Sequence, residues 1–161
     1  MALRRVITIG AYGFSSEAFI SALVAAKVDL FCDLRARRGL RGRDYAFTNS
    51  QRLQARLRDV GIRYSHFPEL APTTEIRSLQ HRADTEVGVA KRERDQLGDS
   101  FIAAYLALLA GRPALDALDR IASMASAPAL FCVERLPSAC HRSLVAEQLA
   151  REAIPVEHLV P

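Results

Sequence analysis

Five strand-length runs rich in β-branched and aromatic residues, at 5–10, 28–33, 62–67, 129–134 and 156–159, alternate with helical patterns along this chain. Stretches such as Val6-Ile7-Thr8-Ile9 and Leu130-Phe131-Cys132-Val133 are apolar at consecutive positions instead of alternate ones. A strand of that kind has no face to turn to water, so both of its faces need a cover. The helical segments between the runs supply that cover. The expected fold is therefore α/β: a three-layer sandwich with a mainly parallel sheet of about five strands flanked by helices.

The helical segments carry their own start and stop signals. Ser15 or Ser16 is placed to cap a helix over 17–26, and Thr48 or Asn49 one over 50–60. Gly111 and Pro113 divide two apolar-periodic helices at 101–110 and 114–124, and Ser138 stands where it would cap a last helix over 139–153. The segment 69–100 breaks the alternation. Thr73-Thr74-Glu75 is able to open a helix, while 84–96 is dense in charge, which reads as a solvated helical face or a mobile excursion over the body of the fold.

A length of 161 residues with 50% apolar content suffices for a single α/β domain spanning 1–161. No apolar run approaches the roughly 20 residues that cross a bilayer, and residues 1–5 lead into a strand instead of the apolar core of a signal peptide. The expectation is a cytoplasmic protein with no membrane contact. Its three cysteines, Cys32, Cys132 and Cys140, are an odd number and form no disulfide framework. Cys32 and Cys132, on apparent strands, read as small buried hydrophobes.

Lys27 and Lys91 are the only two lysines among 22 basic residues, so the net charge of +4 rests on arginine. Arginine makes planar, bidentate contacts with phosphate and carboxylate that lysine does not reproduce. Codon usage accounts for arginines scattered on a surface, so those placed at a site carry the functional weight.

In an open α/β sheet, ligands bind beyond the carboxyl ends of the strands. Here those ends are polar. The first leads through Thr8 to the Gly10–Tyr12 turn, the second ends in Asp33 and Arg35, the third in His66, and the fourth in Glu134 and Arg135. Each alone reads as a satisfied ion pair or hydrogen bond. Several converging at one edge point to a pocket, because burying them without partners costs a few kcal/mol apiece, on the order of 2 each. The stretch 131–143 is the most informative, since a strand, a Pro-containing loop and a helix start follow in succession. The start offers unpaired N–H groups, with Arg142 adding positive charge, a setting for an anion and for a lowered Cys140 pKa.

Two familiar chemistries fit poorly. The cysteine phosphatase loop places Arg after Cys and five further residues, whereas Ser138 and Ala146 stand at those positions after Cys132 and Cys140. A zinc site from Cys132, Cys140, His141 and His66 has no usual knuckle spacing, so no metal is expected. No cofactor is expected either, because Gly10-Ala11-Tyr12-Gly13 lacks the three-glycine dinucleotide fingerprint.

The chain resembles the domain of unknown function 488 family of small bacterial and archaeal proteins. The resemblance rests on Thr8-Ile9-Gly10 with Phe14-Ser15, on Asp33-Leu34-Arg35, on Gly61-Ile62-Arg63-Tyr64 leading to His66-Phe67-Pro68-Glu69-Leu70, and on Cys132-Val133-Glu134-Arg135 with Pro137 and Cys140-His141-Arg142. It implies an α/β domain in which these motifs cluster, and it supplies no established reaction.

The leading expectation is an enzyme acting on a phosphate-bearing substrate, a nucleotide or nucleic acid. Arg35, Arg135 and Arg142, with Thr8, Gly10 and Tyr12, would hold the anion. Asp33 and Glu134 would do acid–base work or orient those arginines, His66 is a further candidate catalytic group, and Cys140 or His141 would be the reactive group. The alternative is a non-catalytic nucleic-acid-binding module built on the Arg-rich loop 35–43, with Tyr45 and Phe47 available for stacking. A third reading is a metabolite sensor, or a homodimer formed through Leu70-Ala71-Pro72 and the apolar helix that starts at Phe101.

Overall fold

A computed structural model describes residues 2–39, 42–151 and 153–161. Five strands, β1 (Val6–Ile9), β2 (Leu30–Asp33), β3 (Arg63–His66), β4 (Pro128–Phe131) and β5 (Val156–Leu159), form one all-parallel sheet in the order β3-β2-β4-β1-β5. Helices α1 (Ser16–Ala25), α2 (Ser50–Asp59), α3 (Thr74–Val87), α4 (Asp99–Leu109), α5 (Arg112–Met124) and α6 (Arg142–Ala150) connect them.

The unbroken apolar runs do what their pattern requires. Every residue of β1, β2 and β4 is buried, and successive side chains pass alternately into two core layers. Val6, Leu30, Cys32 and Leu130 pack with Tyr105 of α4, Ile121 of α5 and Val145 of α6. Ile7, Ile9, Phe31 and Phe131 pack on the other face with Phe19 of α1 and Leu53 of α2. The outer strands β3 and β5 have the polar sequences RYSH and VEHL and are partly exposed, as edge strands tolerate.

The connections run in two directions. From β1 the chain moves through β2 to β3 with α1 and α2 on one face, then returns through β4 to β5 with α4, α5 and α6 on the other. Right-handed crossovers impose this change of face when the direction along the sheet reverses. The loops leaving β2 and β4, which are neighbours, therefore diverge and open a crevice between them.

Ser15 caps α1 as its position suggested, accepting from the Ala18 N–H at 3.1 Å, and Thr73 caps α3 through Ile76 N at 3.2 Å. Asn49 stands at the N-cap of α2 without a side-chain bond. The last helix starts at Arg142, not at 139: residues Pro137–Ala139 form a 3-10 turn and Cys140 is extended (φ −138°, ψ 145°). Ser138 does not cap this helix; its hydroxyl donates to the Asp95 carbonyl at 2.6 Å. Among the described residues no single helix is long and apolar enough to cross a membrane. The helices α4 and α5 meet that length and composition only as a pair bent by 74°, and each turns apolar residues into the core.

One side chain fixes the loop after β4. Arg142, at 0% exposure, donates from Nη1 to the Glu134 carbonyl at 2.6 Å and from Nη2 to the Arg135 carbonyl at 3.1 Å. Gly10 lies against the same spot, where an added Cβ would meet the Glu134 carbonyl oxygen at 1.7 Å and Arg142 Nη1 at 3.0 Å. That approach, between two backbones, leaves room for a hydrogen only. Gly10→Ala is expected to cost about 3 kcal/mol of stability, read by urea denaturation. A loss under about 1 kcal/mol would show that the strand ends separate freely.

Candidate functional site

The crevice between the loops after β2 and β4 contains a cavity of about 350 Å³, within the range of small-ligand sites. Leu34 to Arg37 approach it from β2, and Cys132, Val133 and Glu134 from β4. Ala139, Cys140 and His141 close its base, and α3 with the turn at Lys91–Glu93 lies across it.

At the base, one thiol or imidazole atom from each of Cys132, Cys140 and His141 falls within 4.8 Å of the others. Cys140 Sγ lies 3.8 Å from His141 Nδ1, and the imidazole stands edge-on to the Tyr105 ring at 5.3 Å between centroids. Tyr105 is itself fixed, donating its phenolic O–H to the Leu70 carbonyl at 2.6 Å. Burial opposes ionisation of Cys140, but the hydrogen bond from Cys132 and the neighbouring His141 and Arg142 outweigh it and hold its thiol well below the ordinary range. Cys132 moves the other way, because its proton is engaged by Cys140 and because it is buried. Burial and then the nearby Cys140 raise the pKa of Glu134, against the pull of Lys91 and Arg94.

The cover is pinned by Arg94. Its guanidinium bonds Asp84 at 2.8 Å, Glu134 at 3.3 Å and the Ala139 carbonyl at 3.2 Å, so one side chain joins α3, β4 and the turn before α6. Gln80 extends the network to Asp84 (2.7 Å) and to the Gly98 N–H (2.8 Å). Lys91 reaches Glu134 at 3.5 Å with its side chain still 59% exposed, and Arg77 is anchored to Thr74 Oγ1 at 3.3 Å.

Of the residues singled out from sequence, Arg35, Glu134, Cys140 and His141 line this one cavity. Asp33 does not line it; it is wholly buried and grips Arg35 bidentately at 2.9 and 2.8 Å, accepting also from the Tyr64 hydroxyl at 2.7 Å. Arg35 further donates to the Thr48 carbonyl at 2.8 Å and lies over the Phe131 ring at 4.8 Å. His66 bonds the Arg35 carbonyl through Nε2 at 2.6 Å and does not line the cavity. Thr8 pairs with His158 Nδ1 at 2.7 Å on the edge strand β5. Gly10 and Arg142 form the packed joint already described. Tyr12 stacks edge-on against Tyr45 at 5.0 Å, and Arg135 is exposed beside Gly13.

In the basic loop, Arg38 donates to Ser50 Oγ and Tyr64 Oη, both at 3.2 Å, while Arg41 lies outside the described residues. Tyr45 and Phe47 belong to an aromatic group with Phe19. Sequence reasoning missed three groups at the cavity. Cys132, read as packing and weighed for zinc with Cys140, His141 and His66, stands just past the end of β4, where it is buried in the core layer with Ile9 and Phe31 and also reaches the cavity wall. Arg94 and Lys91 lie in the charge-dense stretch 84–96, whose only distinguishing mark was one of the chain's two lysines.

Comparison with protein-family models matches residues 15–149 to a family described as Domain of unknown function DUF488. No curated protein and no solved structure matches the chain.

Arg94→Ala leaves the Asp84 and Glu134 carboxylates without their shared partner and is expected to cost about 3 kcal/mol. Hydrogen exchange should show the loss concentrated in 74–87, with β1 and β4 protected as before. Uniform loss of protection would show that Arg94 supports the whole fold instead of the cover.

Proposed function

The chain belongs to the family described as Domain of unknown function DUF488, and we propose that it is an enzyme acting on a small phosphate-bearing molecule, with its reaction centre at the base of the crevice between β2 and β4. The observation that carries this reading is the meeting of two kinds of group in one cavity of about 350 Å³. Cys132, Cys140, His141 and Glu134 form the base, and cationic side chains of the cover form the opposite wall.

The division of labour follows from what each group is committed to. Arg35 and Arg142 are held by Asp33 and by backbone carbonyls, so they shape the site first, with Arg35 Nη1 and Arg142 Nε left without a hydrogen-bond partner among the described residues. Arg77 and Lys91 are the cations for the phosphate: a guanidinium has five N–H donors and an ammonium three, and each has one described partner here. Glu134 sits between Lys91 and the sulfur cluster, where it relays protons to or from the reacting group. The roof supplied by α3 favours a free nucleotide or similar metabolite over a polymer.

Screening turnover against phosphate-bearing metabolites supplies the substrate for the test. Cys140→Ser and Glu134→Gln should each lower kcat by about a hundredfold or more, while Arg77→Ala should raise KM by about tenfold with a smaller effect on kcat. Full turnover in both of the first two variants would remove the reading.

A further inference from the structure

We propose that Cys132, Cys140 and His141 form a binding site for a tetrahedral divalent ion of the zinc class, with the fourth coordination position open to the cavity. The site deepens the enzyme reading above and rests on it only for the ion's part in turnover; the binding of the ion stands on the side chains themselves.

The geometry carries the proposal. Bonds of about 2.3 Å to sulfur and 2.0 Å to nitrogen in a tetrahedron put neighbouring sulfur and nitrogen ligands about 3.6 Å apart. Cys140 Sγ and His141 Nδ1 stand at 3.8 Å, and all three ligand atoms lie within 4.8 Å of one another. All three cysteines of the chain are free thiols, so the two here are available as ligands.

A second observation is independent of the sulfurs. His141 is 7% exposed, and its Nε2 is buried without a hydrogen-bond partner among the described residues, while its Nδ1 has the Cys140 thiol. A buried imidazole ordinarily has a nitrogen on a carbonyl or carboxylate, as His66 does on the Arg35 carbonyl. In His141 neither nitrogen is on an oxygen acceptor among the described residues: Nε2 has no partner, and Nδ1, the nitrogen beside Cys140 Sγ, is the one placed to take the ion, with the ring positioned by packing against Tyr105. Two sulfurs and an imidazole are a soft donor set that selects zinc-class ions over magnesium or calcium.

Three protein ligands also match the form of a catalytic zinc site, in which the remaining position takes water or substrate. The cavity supplies the room, and Glu134 lines it alongside the cluster. Asp33 and His66 are engaged with Arg35 and are not among the three ligand residues.

The test is metal binding by the full chain, purified without a metal-affinity step and stripped with a chelator. Titration with Co²⁺ should give thiolate-to-metal charge transfer and the strong visible bands of a tetrahedral ion, saturating at one ion per chain, with Zn²⁺ displacing it. Cys132→Ser and His141→Gln should weaken Zn²⁺ binding by at least about a hundredfold, with circular dichroism confirming their fold. Wild-type protein alone decides the matter should a variant fail to fold. Saturation below about 0.1 ion per chain, or pale octahedral spectra, overturns the proposal. So does loss of two thiols to a Cys132–Cys140 disulfide with no metal uptake. Turnover by metal-free protein overturns the ion's catalytic part while leaving the enzyme reading intact. Stoichiometric binding with no turnover of any phosphate compound overturns that reading and leaves the site.

Discussion

The site depends on a buried guanidinium bound to two backbone carbonyls. Arg142 opens α6 and turns back under the loop after β4, where its two donors hold the Glu134 and Arg135 carbonyls. Those carbonyls belong to a segment that has left the sheet ladder and has no strand partner to satisfy them. Gly10 completes the joint by letting the end of β1 come into contact with the same carbonyl. The consequence is positional: Cys132 and Glu134 on one side of the loop, and Cys140 and His141 on the other, are fixed relative to each other because the residue that follows them ties the loop closed.

A second constraint is the way the arginines are divided. At the carboxyl end of β2, Arg35 and Arg38 serve structure. Arg35 satisfies the buried Asp33, which would otherwise be a lone charge in the core, and Arg38 continues that network through Tyr64. Arg35 and Arg37 reach the cavity from the loop after β2, and the segment between β3 and α4, which has no counterpart in the sheet itself, adds Arg77, Lys91 and Arg94. The strands thus set the place of the site and the cover adds to its charge. The Arg94 clamp joins the two, since its partners lie on α3, on the β4 loop and before α6.

The sheet was legible because its signal is a property of the runs themselves. Val6 to Ile9 and Leu130 to Val133 leave no polar face, and only a strand covered by helices on both sides accommodates that. The capping residues Ser15 and Thr73 were equally local. The start of α6 was misplaced because Ser138 looks like a cap in sequence, whereas Pro137 favours a tight turn and Asp95, 43 residues away, takes the serine hydroxyl. Of the candidate site, the motif around Cys140 was legible as a helix start. The partnerships were not: whether an arginine serves a ligand or a carbonyl depends on contacts such as Arg142 to Glu134, which no spacing announces. Cys132 was read as packing for a related reason. Its side chain follows the apolar rhythm of β4 by sequence, but the strand ends one residue earlier.

The two proposals share one electrostatic arrangement. The Cys140 thiol, held below its ordinary range, and the Glu134 carboxylate place negative charge at the base of the cavity, where water screens it weakly, and such charge needs a matching cation. Arg94 matches Glu134 and Asp84, and its reach ends there. Beside the sulfurs the described guanidinium is that of Arg142, with both terminal donors already on carbonyls. An ion held by the sulfurs and His141 places positive charge at the one point the arginines do not serve. It also frees Arg77 and Lys91 to neutralise an incoming phosphate instead of the protein's own thiolates. If both proposals hold, a substrate would lie between the ion and the outer cations Arg77 and Lys91, with Glu134 lining the same cavity.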